Sequence, residues 1–262
     1  MDFFSQTELV DIFGDKAIAK KEIPFVKLFI LSIVAGALIA LGYLACIRGS
    51  GTIPKEWGSY ATVIGAGLFP VGLIAIILIG GELATGNMMT MTIGVLQKKI
   101  SIIDLIYNWI MVMIGNTVGG ILVAYLWGHV AGMTEGAFLE KTMALATARA
   151  GEAPLPAFIS AIGCNIFVCM AVWLGTSAKS FLGKMLGIWF PIMIFVVCGF
   201  QHVVANTFVI PAAIFSGEST ITWGAFALNI VVVFFGNVVG GALLLGLPCF
   251  LMYGKKAEAA AK

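Results

Sequence analysis

Six long stretches of this chain contain no Asp, Glu, Lys or Arg: Leu28 to Ile47, Trp57 to Gly81, Leu105 to Gly128, Ala153 to Ala178, Met185 to Gly217 and Ser219 to Gly254. Each is long enough to cross a hydrocarbon layer of roughly 30 Å as a helix of about 20 residues. Membrane-spanning strands would alternate apolar and polar residues over roughly ten positions. A run such as Leu73-Ile74-Ala75-Ile76-Ile77-Leu78 does not alternate, so helices are expected. Only 11% of the 262 residues are charged, where a soluble domain carries about 25%. The predicted fold class is an all-α membrane protein of six transmembrane helices.

Acidic residues Asp2, Glu8, Asp11 and Asp15 precede the first apolar stretch, unlike the basic start of a cleaved signal peptide. Six spans place both termini on one face. The N-terminal segment, the second-to-third and fourth-to-fifth loops and the tail hold Lys16, Lys20, Lys21, Lys27, Lys98, Lys99, Lys179, Lys184, Lys255, Lys256 and Lys262. The opposite face has only Arg48, Lys55, Lys141 and Arg149, so both termini are expected in the cytoplasm. The expected location is a bacterial or archaeal cytoplasmic membrane. Residues 1–26 are expected to form a cytoplasmic amphipathic helix, with Phe3, Phe4, Leu9, Val10 and Phe13 in the membrane interface. Residues 27–254 then form one channel domain, and 255–262 a cytoplasmic tail. The five cysteines all fall in apolar stretches without a CxxC or Cys/His cluster, so they are read as packing residues. No metal or cofactor is expected. The net charge of +2 is accounted for by the cytoplasmic loops, and nucleic acid is not an expected partner.

The chain repeats itself. Gly115-Asn116-Thr117-Val118-Gly119-Gly120 returns 121 residues later as Gly236-Asn237-Val238-Val239-Gly240-Gly241, and Phe69-Pro70 returns at the same offset as Phe190-Pro191. Gly86-Asn87 and Ala205-Asn206 correspond at 119. Two structural copies follow, about 27–129 and 153–254. Each holds an odd number of spans, so the second copy enters the membrane from the opposite face, which places a substrate path near the midplane between inverted halves. The GxxxG spacing of both glycine segments is expected to bring helix backbones together, with Asn116 and Asn237 bonding to a neighbouring helix. Met88, Met89 and Met91 are expected to pack.

Glycine and polar residues interrupt the second and fifth stretches at Gly80-Gly81-Glu82-Leu83-Ala84-Thr85-Gly86-Asn87 and Gly199-Phe200-Gln201-His202-Val203-Val204-Ala205-Asn206. Irregular backbone at membrane depth survives only where it lines a cavity or is buried in protein. Two broken helices are expected, with Asn87 and Asn206 capping the half-helices that follow and their positive dipole ends favouring an anion. Kinked but continuous helices are the plainer reading. His202 is the only histidine inside a span, and an ionisable group there is by default functional. Glu82 either sets pore electrostatics or ties the interrupted loop by hydrogen bonds.

These motifs, with Gly163-Cys164-Asn165-Ile166-Phe167-Val168-Cys169-Met170-Ala171-Val172-Trp173, resemble the formate/nitrite transporter family over nearly the whole chain. The resemblance implies an aquaporin-like fold, a homopentamer in the lipid bilayer and one path per protomer for a small monovalent weak-acid anion. Formate comes first, with nitrite, hydrosulfide and short carboxylates as alternatives. It also implies that His202 is the central pore histidine, with Asn165 and Asn206 beside it. Phe69, Val168 and Phe195 match the outer constriction; Leu83, Ala84 and Thr85 match the inner one. Lys16, in a segment implicated in gating, is a gating candidate with Glu82, Gln201 and Arg149. Three residues depart from the family pattern: Gln201 stands for a glutamate, Ala84 for a bulky residue and Arg149 for a lysine. Arg149 is either an outer anion attractor or a solvated loop charge.

A neutral-solute channel of aquaporin type would want Asn-Pro-Ala at both half-helix starts, where this chain has Asn87-Met88 and Asn206-Thr207. An enzyme is not expected, since there is no HExxH and no Ser-His-Asp set. At His202 the expected chemistry is proton sharing: a neutral resting ring that shares or donates a proton as the anion passes.

Overall fold

The computed structural model describes residues 2–254; the expected tail, 255–262, lies outside the described residues. Among the described residues there are helices and no strands, apart from one isolated antiparallel bridge between Phe3 and Ala178. Helix α1 (Gln6–Lys21) starts at a capping box in which the Glu8 N–H donates to the Ser5 hydroxyl and the Ser5 N–H to the Glu8 carboxylate. Then come α2 (Phe25–Ser50), α3 (Ser59–Leu68), α4 (Val71–Ile79), α5 (Ala84–Leu96) and α6 (Ile102–Val123). Helix α6 starts at a second capping box, Ser101 with Asp104, and runs on as a π-helical stretch, Ala124–Val130. Helix α7 (Leu139–Ala150) leads to α8 (Pro154–Ser177), α9 (Phe181–Val197), α10 (Val203–Phe215) and α11 (Trp223–Val238). Helix α11 continues through the π-helical stretch Val239–Gly246 into α12 (Leu247–Tyr253).

Among the described residues, five helical runs are long and apolar enough to cross a membrane: Phe25–Ser50, Ser59–Ile79, Ile102–Val130, Pro154–Ser177 and Trp223–Tyr253. The remaining apolar stretch, Met185 to Gly217, is divided between α9 and α10, of 17 and 13 residues. The division has a local cause. Gly199 takes φ +71°, and 119 residues earlier Gly80 takes φ +97° at the end of α4. Only glycine enters this left-handed region without steric cost, and it stops a helix.

Two helix pairs carry much of the packing. Helix α6 lies so close to α2 that a Cβ on Gly119 would overlap the Ile33 carbonyl oxygen. Helix α11 and its continuation lie as close to α8, and a Cβ on Gly240 would overlap the Ile162 carbonyl oxygen. Met88, Met89 and Met91 are wholly buried packing residues.

Three expectations are corrected. Leu9, Val10 and Phe13 of α1 do not face a lipid interface; they are buried against Met89, Ile93 and Cys169, and Phe13 stacks on Trp173 at 5.2 Å. Protein covers the apolar face of this helix because the Lys20–Glu82, Lys21–Asp104 and Asp15–Lys99 ion pairs hold it down on the helical body. Asn87 and Asn206 do not cap the half-helices: α5 begins at Ala84 after Leu83, and α10 at Val203 after His202. Cys198 is exposed, whereas the other four cysteines are buried.

Substituting Gly119 by alanine is expected to cost about 2 kcal/mol or more through overpacking against backbone that cannot yield. Gly67→Ala is expected to be neutral, since an added Cβ there meets nothing within 4 Å. Thermal unfolding of the two variants in detergent checks both; equal midpoints would contradict the close-approach reading.

Candidate functional site

The two interruptions are held by matched asparagines from other helices. Asn116 Oδ1 accepts from the Ala84 N–H at 2.9 Å, and its Nδ2 donates to the carbonyls of Ser32 and Glu82 at 2.7 and 2.9 Å. Asn237 Oδ1 accepts from the Val203 N–H at 3.0 Å, and its Nδ2 donates to the carbonyls of Ala161 and Gln201 at 2.8 and 3.1 Å. Both side chains are fully buried, where an unmade hydrogen bond is expensive. A second layer repeats the match. Asn87 Nδ2 donates to Glu82 and to Asn108 Oδ1, and Asn206 Nδ2 donates to Gln201 Oε1 and to Asn229 Oδ1, at 2.7 and 2.8 Å in each case.

His202 is the N-cap residue of α10. Its Nδ1 accepts the Ala205 N–H at 3.0 Å, so that nitrogen carries no proton. In the neutral ring the proton therefore sits on Nε2, which lies 3.0 Å from Thr85 Oγ1. The ring stacks on Phe195 at 5.7 Å, and Phe195 meets Phe69 edge to face at 5.5 Å. Phe69, Phe195, Val168, Leu83, Ala84 and Thr85 are all buried. On one side of the ring lies a cavity of about 10 Å³ bounded by Tyr43, Phe69, Arg149, Phe195 and Asn206, space for about one water. Beyond Leu83 an open vestibule of about 610 Å³ includes Lys16, Lys20, Lys27, Glu82 and Thr176 among its walls.

The structure thus brings His202, Thr85, Phe69, Phe195 and Asn206 together. The donors of Asn165 are spent on protein: its Nδ2 bonds the Thr85 and Asn237 carbonyls at 3.2 and 2.7 Å, and so positions Thr85. The donors of Asn206 are likewise committed to Gln201 and Asn229. Glu82, 5% exposed, takes both Lys20 at 2.7 Å and Asn87, which ties the interrupted loop to α1. Gln201 occupies the matching place in the second half, and its Nε2 donates to Glu152 at 2.6 Å. Arg149 reaches inward to the Gly199 carbonyl and borders the small cavity, so it is no free loop charge. Lys16 donates to Thr176 Oγ1 at 2.9 Å in the vestibule. Enclosure by protein, then the charges of Lys20 and Lys184, lower its pKa to about 8. Sequence reasoning missed Tyr43, Thr176 and Glu152, which carry no motif. It also missed the second-layer pair Asn108 and Asn229, although their 121-residue separation was a signal.

A family model described as formate/nitrite transporter matches residues 7–251. An uncharacterized transporter of Bacillus subtilis (strain 168), YrhG, is 50% identical over 257 residues, covering 98% of this chain and 96% of that protein. The formate channel BtFdhC of Bacillus thuringiensis is 44% identical over 256 residues, covering 98% of each. A solved pentameric formate channel with formate bound superposes with a TM-score of 0.76 at 28% identity, covering 88% of this chain and 98% of that one.

Asn237→Leu leaves the Val203 N–H and the Gln201 carbonyl without partners, each worth about 1–3 kcal/mol when buried, and removes a second bond to the Ala161 carbonyl of α8. The variant is expected to lose about 3 kcal/mol or more, and Asn116→Leu a comparable amount. Thermal and denaturant unfolding in micelles measures this; a loss below about 1 kcal/mol for both would mean that the interruptions hold without these caps.

Proposed function

The chain belongs to the formate/nitrite transporter family, and from that premise we propose that it is a channel for a small monovalent weak-acid anion, formate first, with proton-linked permeation at His202. It is a multi-pass membrane protein of a transporter family, not an enzyme. The observation that carries the proposal is the buried His202–Thr85 pair between an aromatic neck and an open vestibule. Formate is favoured because BtFdhC is a formate channel and the pentameric structure holds formate.

In the proposed passage, the anion descends from the vestibule past Leu83, Ala84 and Thr85 and meets the Nε2–H of His202. A proton enters with it and is shared between ring and anion, so a nearly neutral pair crosses the neck at Phe69, Val168 and Phe195 and escapes the cost of burying a charge. The two separate again beyond it, near Arg149. One anion and one proton enter, one of each leaves, and the ring is neutral before and after. The cap shapes this chemistry: a ring protonated on both nitrogens has no lone pair for the Ala205 N–H, so the pairing favours return to the Nε2–H form. Asn165 positions Thr85, and Asn206 holds the wall of the small cavity.

The proposed architecture is six spans in two inverted halves, the second and fifth broken, with residues 1–26 and the tail on the cytoplasmic face. The matched bonds of Asn116 with Asn237 and the left-handed Gly80 and Gly199 support two related halves. A homopentamer is proposed from the pentameric neighbour and from the apolar surface that the single chain leaves exposed.

Purified protein in liposomes is expected to move labelled formate with a proton, and to exclude chloride, which cannot hold one. His202→Asn is expected to lower proton-linked uptake about 100-fold or more. A correctly assembled variant with wild-type rate and pH dependence would overturn the histidine mechanism. Selective passage of nitrite or hydrosulfide over formate would reassign the substrate, and passage of glycerol alone would favour the neutral-solute reading.

A further inference from the structure

Two chains of side-chain amides meet at Asn206 and set the polarity of the small chamber beside His202. The two ends of an amide are alike in shape, so the end that faces a neighbour is read from partners that can only accept. The first chain ends on Glu152, in the connection between α7 and α8: Gln201 Nε2 donates to its carboxylate at 2.6 Å and to the Arg149 carbonyl at 3.2 Å. A carbonyl and an ionised carboxylate have no hydrogen to give. The amide oxygen of Gln201 must therefore point the other way, where it accepts from Asn206 Nδ2 at 2.7 Å. The second chain ends on the same carbonyl: Asn229 Nδ2 donates to Arg149 O at 2.8 Å, which turns Asn229 Oδ1 towards Asn206 Nδ2, again at 2.8 Å.

Both hydrogens of Asn206 Nδ2 are thereby committed, and its Oδ1 is left to face elsewhere. That oxygen accepts no hydrogen bond from the described residues, yet it is not among the buried atoms sealed off without a partner, and Asn206 borders the chamber. The chamber thus carries an acceptor. The first half is built alike, with Asn87 Nδ2 spent on Glu82 and on Asn108 Oδ1. There the carboxylate belongs to the interruption itself; in the second half it stands one bond further out, on Glu152. A bare carboxylate or halide offers lone pairs only and would set one against Asn206 Oδ1. A carboxylic acid has an O–H that this oxygen can accept, and a chamber with room for about one water has no solvent to blunt the difference.

We propose that Glu152 is a positioning residue for selectivity: through Gln201 it holds Asn206 with its amide oxygen towards the path, so that cargo is admitted as the acid and the bare anion is refused. The inference rests on the proton-linked reading above and adds to it a place where the two protonation states are told apart. No bond of the cargo is made or broken there. The shared proton stays on the cargo oxygen while that O–H donates to Asn206 Oδ1.

The test measures two quantities in proteoliposomes under an imposed membrane potential: labelled formate moved, and the charge moved with it. In the wild type the charge-carrying fraction of formate flux is expected to be small. Glu152→Gln lets the end of the chain donate as well as accept and replaces a charge-assisted bond by a neutral one of about half the strength. The amides can then turn over and present Asn206 Nδ2, and the charge-carrying fraction is expected to rise about ten-fold. The double variant Glu152→Lys with Gln201→Glu has the same local charge as Glu152→Gln, but it restores an acceptor-only group beside Asn206, in the order that Lys20, Glu82 and Asn87 take in the first half. Its charge-carrying fraction is expected to return close to the wild-type value. An unchanged fraction in Glu152→Gln would overturn the proposal, as would a fall in formate flux without a rise in that fraction, which would make Glu152 merely structural. A double variant that leaks as Glu152→Gln does would trace the leak to charge alone and overturn it equally. Wild-type protein whose formate flux is fully charge-carrying overturns the proton-linked reading itself, which separates the two failures.

Discussion

The rest of this structure depends on how a polypeptide leaves and re-enters the helical state where water is not on hand. Each interruption frees backbone N–H and C=O groups that would cost several kcal/mol apiece if left bare in an apolar interior. Asn116 and Asn237 meet that demand from outside the interrupted segments, each pairing one N–H and one carbonyl of the interruption and adding a bond to a carbonyl of a neighbouring helix. An amide is the side chain suited to this, because it both donates and accepts without a charge. The close approach of α6 to α2 and of α11 to α8, made possible at Gly119 and Gly240, brings these amides within reach.

His202 inherits its properties from this arrangement. Asn237 secures the first N–H of α10 and the ring secures that of Ala205, so side chain and helix end fix one another. The tautomer is settled by a backbone hydrogen bond, which leaves the Nε2–H to meet Thr85. Asn165 and Cys169 both bond the Thr85 carbonyl from the opposite half, and so fix the hydroxyl that meets Nε2. Polar side chains that lack spare donors are therefore scaffolding for the two that retain them.

The helical architecture was legible because apolar length and a 121-residue self-similarity are global signals that local detail does not obscure. His202 and Glu82 stood out because an ionisable group inside an apolar stretch needs a reason to be there. The half-helix starts were misplaced by four residues, from 83 to 87 and from 202 to 206. Capping rules look for Ser, Thr, Asp or Asn next to the helix they serve, whereas the first N–H of each of these helices is taken by an asparagine more than 30 positions away, and the local cap of α10 is a histidine. The direction of Arg149 was hidden for a related reason: its partner is the Gly199 carbonyl, a backbone atom that no residue pattern marks. The apolar face of α1 was read correctly as a face and wrongly as facing lipid, since pattern alone does not name the surface that covers it.

The smallness of the chamber beside His202 bears on the electrical seal of the membrane. A chamber of about 10 Å³ walled by Phe69 and Phe195 holds on the order of one water, too few to link into a continuous file along which hydronium charge could hop. In the proposed passage, protons cross only as passengers on a cargo molecule. A cell can keep such a conduit in an energised membrane without short-circuiting its own voltage.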